Sequence, residues 1–388
     1  MALSSDHLAT RLEPIFAENF SQFGELGAAV SIWQNGEPVL DLHGGYRDAQ
    51  RKIPWTDDTL VLTWSATKGL GSACLLHVLQ THKIGLERPV AEFWPAFAQA
   101  RKADITLAQL LSHQAGLAVL DESVDVRDYD AVVRALEKQK PIWLPGTAHG
   151  YHARTFGFLL DELVRRIASR SIAKYWREIF AEPLGLDIWI GLPAEKNDHV
   201  ATIYPASVSA SASPDPFFRA LFQHGTIQRK AFTSPHGLHS VSAMNTPENR
   251  ASAFVSFGGI GNAASLAKFY AMLANGGSLE SKRFFSSTTL EQMTTTLAFG
   301  MDRIFGIPTA FSAGFMKDPA DATRRLFGPS TLAFGHPGAG GSHAFADPEN
   351  NLAFAYVMNQ MEQKLLPNDK SLRLVDALYR ELSVSQAQ

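Results

Sequence analysis

With 388 residues, 45% hydrophobic and 19% charged, the chain has the composition of an ordinary soluble globular protein, and its length alone suggests two or three domains around a large core. Thirty-five basic against 38 acidic residues leave a net charge of -3, which removes the electrostatic case for nucleic acid or an anionic membrane as partner and fits a small, neutral or weakly charged substrate. The single cysteine, Cys74, excludes an internal disulfide and reads as a buried structural thiol.

Residues Met1 to Phe20 lack the apolar core of a secretory signal, and no run of about 18 apolar residues follows, so a cytoplasmic location without a membrane span is expected. The spacing predicts an amphipathic helix near His7–Phe20. Two strand-like runs follow, Gly27–Trp33 and Pro38–Gly44, joined through Asn35-Gly36, a strong hairpin signal. From about Glu87 to Ala253 the pattern is mostly helical. Thr106-Leu107-Ala108-Gln109 reads as a capping box opening a helix that closes at Gly116; Tyr151–Ala168 and Ile172–Phe180 are further helices, the second ended by Pro183-Leu184-Gly185. Ala206–Pro216, rich in Ser, Ala and Pro, reads as a surface loop. A helix at Ala263–Ala274 is stopped by Gly276-Gly277. Strand-like runs return at Ala310–Met316, Leu332–His336, Gly341–Ala346 and Leu352–Val357, before a last helix at Lys370–Leu382. Strands at both ends with helices between them imply an α+β arrangement: a discontinuous domain of residues 1–86 and 254–388, and a mostly helical domain at 87–253.

Ser65-Ala66-Thr67-Lys68 carries the clearest chemical signal. Residues three apart share a helical face, so the Lys68 amine can lie beside the Ser65 hydroxyl, which needs such a base to attack a carbonyl at neutral pH. The spacing alone is weak, because Ser171/Lys174 and Ser265/Lys268 repeat it. From Thr59 to His82, however, Lys68 is the sole Asp, Glu, Lys or Arg, and burial pushes a lysine toward a usable base. The other two pairs stand at the starts of amphipathic helices, where serine caps the helix and lysine faces water. For Ser65 the local sequence leaves an N-cap beside a snorkelling Lys68 as an equal alternative. Acyl transfer also requires an oxyanion hole and a second acid–base group. Pro145-Gly146-Thr147 delivers Tyr151 to the head of a helix, where a nearby ammonium would lower its pKa and let it shuttle a proton; a core tyrosine bonded to a carbonyl is the alternative. Gly335-His336-Pro337-Gly338-Ala339-Gly340-Gly341-Ser342 concentrates glycines beside a strand, for close approach of a ligand or for a tight turn.

These motifs, together with Leu110-Leu111-Ser112-His113-Gln114-Ala115-Gly116-Leu117 and Tyr151-His152-Ala153, resemble in order and spacing the serine β-lactamase and penicillin-binding-protein superfamily. More narrowly the chain is similar, from about Gly27 to Val357, to the class C β-lactamase-related family VIII carboxylesterases. The resemblance implies a β-lactamase/transpeptidase-like fold, a mixed antiparallel sheet flanked by helices plus an all-helical domain, with the site between them. It also implies roles: Ser65 as nucleophile, Lys68 and Tyr151 as the groups that accept and return its proton, and the backbone N–H groups of Ser65 and Ala339 as oxyanion hole.

Two departures bear on substrate. Ala153 stands where β-lactamases typically carry Asn or Ser, and His336-Pro337-Gly338 stands in place of Lys-Thr-Gly, exchanging a cation for a group only partly protonated at neutral pH. Both weaken β-lactam recognition and suit a neutral ester of short to medium acyl chain, with β-lactam hydrolysis at most weak. A β-lactamase, a D-amino-acid peptidase, an acyltransferase and a non-catalytic binding protein on the same fold are the alternatives. His336, Gly338, Ala153, Phe254 and Phe315 are the expected substrate contacts, with simple packing an equal reading of His336. His149/His152 and His236/His239 lack a third ligand, so no metal is expected, and no cofactor fingerprint or Gly-x-Ser-x-Gly occurs.

Overall fold

The computed structural model describes residues 3–206, 215–322, 324–364 and 366–387. Helix α1 (Ser5–Ser21) is followed by β1 (Gly27–Gln34) and β2 (Glu37–Gly45), whose turn residues Asn35 and Gly36 take φ of 54° and 80°, the positive pair that a two-residue hairpin requires. A three-stranded sheet of order β3-β5-β4 joins β3 (Val61–Leu62), β4 (Ile188–Ile190) and β5 (Gly259–Gly261), while β6 (Ser278–Leu279) and β7 (Lys282–Arg283) pair by themselves. The main sheet is completed by β8 (Ala298–Met301), β9 (Pro308–Phe311), β10 (Met316–Lys317), β11 (Phe334–Gly335), β12 (His343–Asp347) and β13 (Leu352–Met358). Its order is β2-β1-β13-β12-β11-β10-β9-β8, every pairing antiparallel, so the two ends of the chain build one sheet. Every residue of β12 and β13 is buried, the pattern of central strands covered on both faces.

Helix α2 (Thr67–Thr81) buries 12 of its 15 residues, and a helix apolar on all sides belongs inside the protein. Between it and β5 run α3 (Leu107–Leu111), α4 (Tyr129–Lys138), α5 (Thr155–Ala168), α6 (Ile172–Trp176), α7 (Glu182–Leu184), α8 (Pro216–Phe222), α9 (Ile227–Thr233) and α10 (Pro247–Ala251). Helix α11 (Ala263–Ala274) packs on β1, β12 and β13; α12 (Ser287–Thr294) and α13 (Asp369–Ala387) complete the chain. Helix α13 lies against α1 and is fixed to the sheet by a buried cluster: Lys370 Nζ lies 3.2 Å from Glu25 Oε2, which accepts a 2.7 Å hydrogen bond from Tyr356 of β13. Among the described residues no helix is long and apolar enough to cross a membrane.

Several elements differ from the sequence expectation for identifiable reasons. The capping box at Thr106 is present, but α3 stops at Leu111, and His113 (φ 61°) already turns the chain out of the helix before Gly116 (φ 72°). Ala310–Met316 is not one strand but two: Phe311 pairs with Met316 across a turn containing Gly314 (φ 82°). The mostly helical segment contributes β4 to the small sheet. Ser171 is an N-cap with Lys174 exposed, as expected. Ser265 is not: Asn262 caps α11, Ser265 Oγ accepts from Asp187 N, and Lys268 is largely covered and paired with Glu280. The expected loop Ala206–Pro216 falls mainly on residues outside the described ones, and Pro216 itself opens α8.

In the capping box Thr106 Oγ1 accepts from Gln109 N and Gln109 Oε1 accepts from Thr106 N. Thr106→Ala is expected to lower unfolding stability by about 1 kcal/mol, read from urea denaturation, with the denaturant slope unchanged.

Candidate active site

Ser65 lies in a tight helical turn, Trp64–Ala66, that runs into α2. Trp64 takes φ 50°, a left-handed conformation unusual for a bulky residue, and the turn is held by Thr67 Oγ1, which donates to Trp64 O and accepts from Gly259 N. One turn on, Lys68 is fully buried with Nζ 3.4 Å from Ser65 Oγ. Its other partners are two backbone carbonyls, Ala153 O at 2.9 Å and Ser256 O at 2.8 Å; no carboxylate is near. Desolvation without a counter-charge pushes its pKa well below that of a free lysine. A neutral amine has two N–H donors and one lone pair. In that form the two carbonyls take the donors, and the lone pair is left for the Ser65 hydroxyl.

Tyr151 sits in the extended stretch four residues before α5, with its ring 4.7 Å from Lys68 Nζ. Asp302 Oδ1 accepts from Tyr151 N, and the ring stacks on Phe305 at 4.5 Å and contacts His113 at 5.1 Å. The expectation that an ammonium lowers the Tyr151 pKa is corrected here. Burial raises it and Asp302 raises it further, with the Ser65 hydroxyl acting in the opposite direction. Tyr151 is therefore a neutral phenol at pH 7, beside a lysine whose pKa burial lowers.

The partly protonated His336 is also corrected. Burial pushes it down to about 3, so the ring is neutral at pH 7. Its Nδ1 lies 2.9 Å from Pro337 O, an acceptor, which puts the proton on Nδ1 and leaves Nε2 as a buried acceptor without a partner. His152, held by Gly150 O and Leu117 N, is likewise pushed down, to about 4.

Two cavities meet at Ser65 and Ala339. One, of about 320 Å³, is lined by Tyr151, His336, Phe305, Phe217 and Met316; the other, of about 350 Å³, by Trp64, Ala153, Arg154, Phe257 and Arg229. Ser65, Ala339, Phe232, Leu221, Phe222 and Val241 belong to both walls. Ala153 and His336 thus face cavities, but three expected contacts do not. Phe315 is wholly buried against Phe334 and Tyr270, because the hairpin turn it occupies folds it beneath α2. Phe254 stacks on Phe257 from behind at 5.0 Å, and only Phe257 reaches the cavity wall. Gly338 packs on the backbone instead: a Cβ there would fall 2.2 Å from Thr63 O, so the residue lets the Ala339 segment close on the Ser65 turn.

The residues that the sequence reading missed lie on other elements. Ser256 supplies a carbonyl to Lys68, while its Oγ donates to Arg154 O and accepts from Gly157 N. Asp302 holds the backbone of Tyr151, Ile304 and Phe305. Neither stands in a motif; a buried carboxylate or serine of this kind is found only when its tertiary partners are known. Among the described residues no group of three or more His, Cys, Asp or Glu could hold a metal.

The sequence matches the model of the beta-lactamase family over residues 16–377. It is 31% identical over 350 residues to the esterase/beta-lactamase LipL of Mycobacterium tuberculosis, covering 88% of this chain and 79% of LipL. Among solved structures, a penicillin-binding-protein homologue from Caulobacter crescentus superposes with a TM-score of 0.87 at 34% identity, covering 98% of this chain and 99% of that one. A family VIII carboxylesterase gives 0.85 at 36% identity, covering 96% and 97%.

The protonation of Lys68 can be read without activity. Its native pKa is lowered, so the unfolded chain binds a proton there that the native chain does not, and the native state gains stability as pH rises toward the unfolded value near 10. Wild-type stability minus that of Lys68→Met should therefore rise with pH between 7 and 9, by up to about 1.4 kcal/mol per unit, in urea melts. A flat difference would mean that native Lys68 is charged.

Proposed function

Because this chain belongs to the beta-lactamase family, as a serine hydrolase of that fold, we propose that it is a carboxylesterase that cleaves esters of short to medium acyl chains through an acyl-enzyme on Ser65. The observation that carries this reading is the placement of the Lys68 amine, held by two carbonyls 3.4 Å from Ser65 Oγ, beside the Tyr151 phenol and between two cavities. Lys68 takes the Ser65 proton as Oγ bonds to the ester carbonyl carbon. The carbonyl oxygen becomes an oxyanion facing the N–H groups of Ser65 and Ala339. Collapse expels the alcohol oxygen, which receives a proton through Tyr151 as Lys68 returns to neutrality. Water, deprotonated by the same pair, attacks the acyl-enzyme and releases the acid.

The choice of an ester over a β-lactam rests on His336 and Ala153. A neutral imidazole offers an acceptor where a β-lactam carboxylate needs a cation, and Ala153 offers no side-chain amide. The similarity to a family VIII carboxylesterase supports the same choice, while the name of LipL covers both activities. No metal or cofactor enters this chemistry, and a small ester is the sole partner that it requires. We extend the sequence expectation of a cytoplasmic location to this proposal.

Paired initial rates on p-nitrophenyl acyl esters and on nitrocefin test the reading. The expected result is ester cleavage with little nitrocefin turnover, both lost in Ser65→Ala without a change in melting temperature. Rapid nitrocefin turnover would show that His336 and Ala153 do not exclude β-lactams. Tyr151→Phe should reduce ester turnover by about two orders of magnitude or more. A loss of less than about threefold would remove Tyr151 from the proton path.

A further inference from the structure

The two cavities that meet at Ser65 differ in charge. Beyond the shared wall, the first is built largely of aromatic and aliphatic side chains, Phe217, Phe305, Met316 and Met361 among them, with one residue of each charge, Glu362 and Lys364. The second carries Arg154 and Arg229, with His239, Thr233 and Ser240, and no Asp or Glu in its wall. Arg154 is mostly enclosed. Its guanidinium donates to Pro235 O at 2.8 Å, Gly237 O at 2.9 Å and Leu238 O at 3.2 Å, and lies 5.8 Å from the ring centre of Phe257. The charge of Arg154 thus meets only carbonyl dipoles and a ring, and burial lowers its pKa to about 10 with no acid to offset it. Arg229 makes one long contact, to Phe222 O at 3.4 Å. Among the described residues no carboxylate pairs with either arginine, and residues 207–214 contain no Asp or Glu. Arg154 also directly precedes α5, a 14-residue helix whose N-terminal end is itself positive. A cation placed there without an anion is unfavourably sited, and an anionic ligand would be attracted by both.

The chemistry assigns the halves of an ester to the two cavities. The leaving oxygen must receive its proton through Tyr151, which lines the first cavity and not the second. The alcohol therefore occupies the apolar cavity and departs from it, and the acyl chain lies along the arginine-lined one. We propose that Arg154 and Arg229 seat an anionic group at the far end of the acyl chain, so that the preferred substrates are half-esters of dicarboxylic acids with an apolar alcohol. This rests on the ester-hydrolase reading and narrows it: the neutral acyl chain is replaced by one ending in a carboxylate. An Arg–carboxylate pair in a partly desolvated wall is a charge-assisted interaction, strong enough to set a preference of about tenfold or more.

The test compares two esters of equal chain length, p-nitrophenyl hemiadipate and p-nitrophenyl hexanoate, after subtraction of spontaneous hydrolysis. The wild type should favour the hemiadipate in kcat/KM by about tenfold. The ratio should fall to near one in Arg229→Gln and recover in part in Arg229→Lys. Arg229 is the primary position because Arg154 also ties down three loop carbonyls. Equal or better turnover of the hexanoate by the wild type, or an unchanged ratio in Arg229→Gln, overturns the proposal while leaving the esterase reading intact. If neither ester is cleaved, the esterase reading fails, and binding decides the proposal. Monomethyl adipate should then raise the melting temperature of Ser65→Ala more than methyl hexanoate does, with the difference lost in the Ser65→Ala, Arg229→Gln double variant. No difference between the two ligands would overturn it.

Discussion

The burial of Lys68 without a counter-ion is the constraint on which the site depends. Helix α2 is enclosed so closely that Gly69 and Gly71 are the positions where Tyr270 and Val255 touch it; a Cβ at either would fall within 2.6 Å of those side chains. In that enclosure a charged amine would lose its hydration and gain only carbonyl dipoles, so the neutral form is favoured. The basicity of the site is thus a consequence of packing.

That packing joins three distant stretches of chain. Ser65 and Lys68 come from the turn into α2, Ala153 from the segment before α5, and Ser256 from the segment that leads into β5. Ser256 also ties the last two together, through Arg154 O and Gly157 N. Gly338, closing on Thr63, brings the Ala339 backbone to the same turn from the β11 side. Movement of any one of these would change the water access of the amine, and with it the base.

The charge pattern follows from the same enclosure. His113, His152 and His336 are all neutral through burial. The first cavity carries one charge of each sign, Glu362 and Lys364, while Arg154 and Arg229 line the second with no acid in its wall. In a protein of net charge -3, two arginines with no carboxylate partner among the described residues line one cavity at Ser65.

The local signals in the chain were sufficient for much of this. The hairpin at Asn35-Gly36, the cap at Thr106, the helix at Ala263–Ala274 and the pairing of Ser65 with Lys68 all depend on neighbours within four residues, and each is present. The absence of other charges near Lys68 was already visible as an apolar run, which is why its burial could be expected. What the tertiary structure decided is everything set by contacts across the sheet and between the segments. It turned Ala310–Met316 into a hairpin and sent Phe315 into the core, withdrew Phe254 from the cavity wall, and raised the Tyr151 pKa instead of lowering it. It also assembled Arg154 and Arg229, 75 residues apart, into one wall. Periodicity and capping report on the next turn of chain; desolvation and cavity shape depend on which distant side chains exclude the water, and only the folded arrangement fixes those.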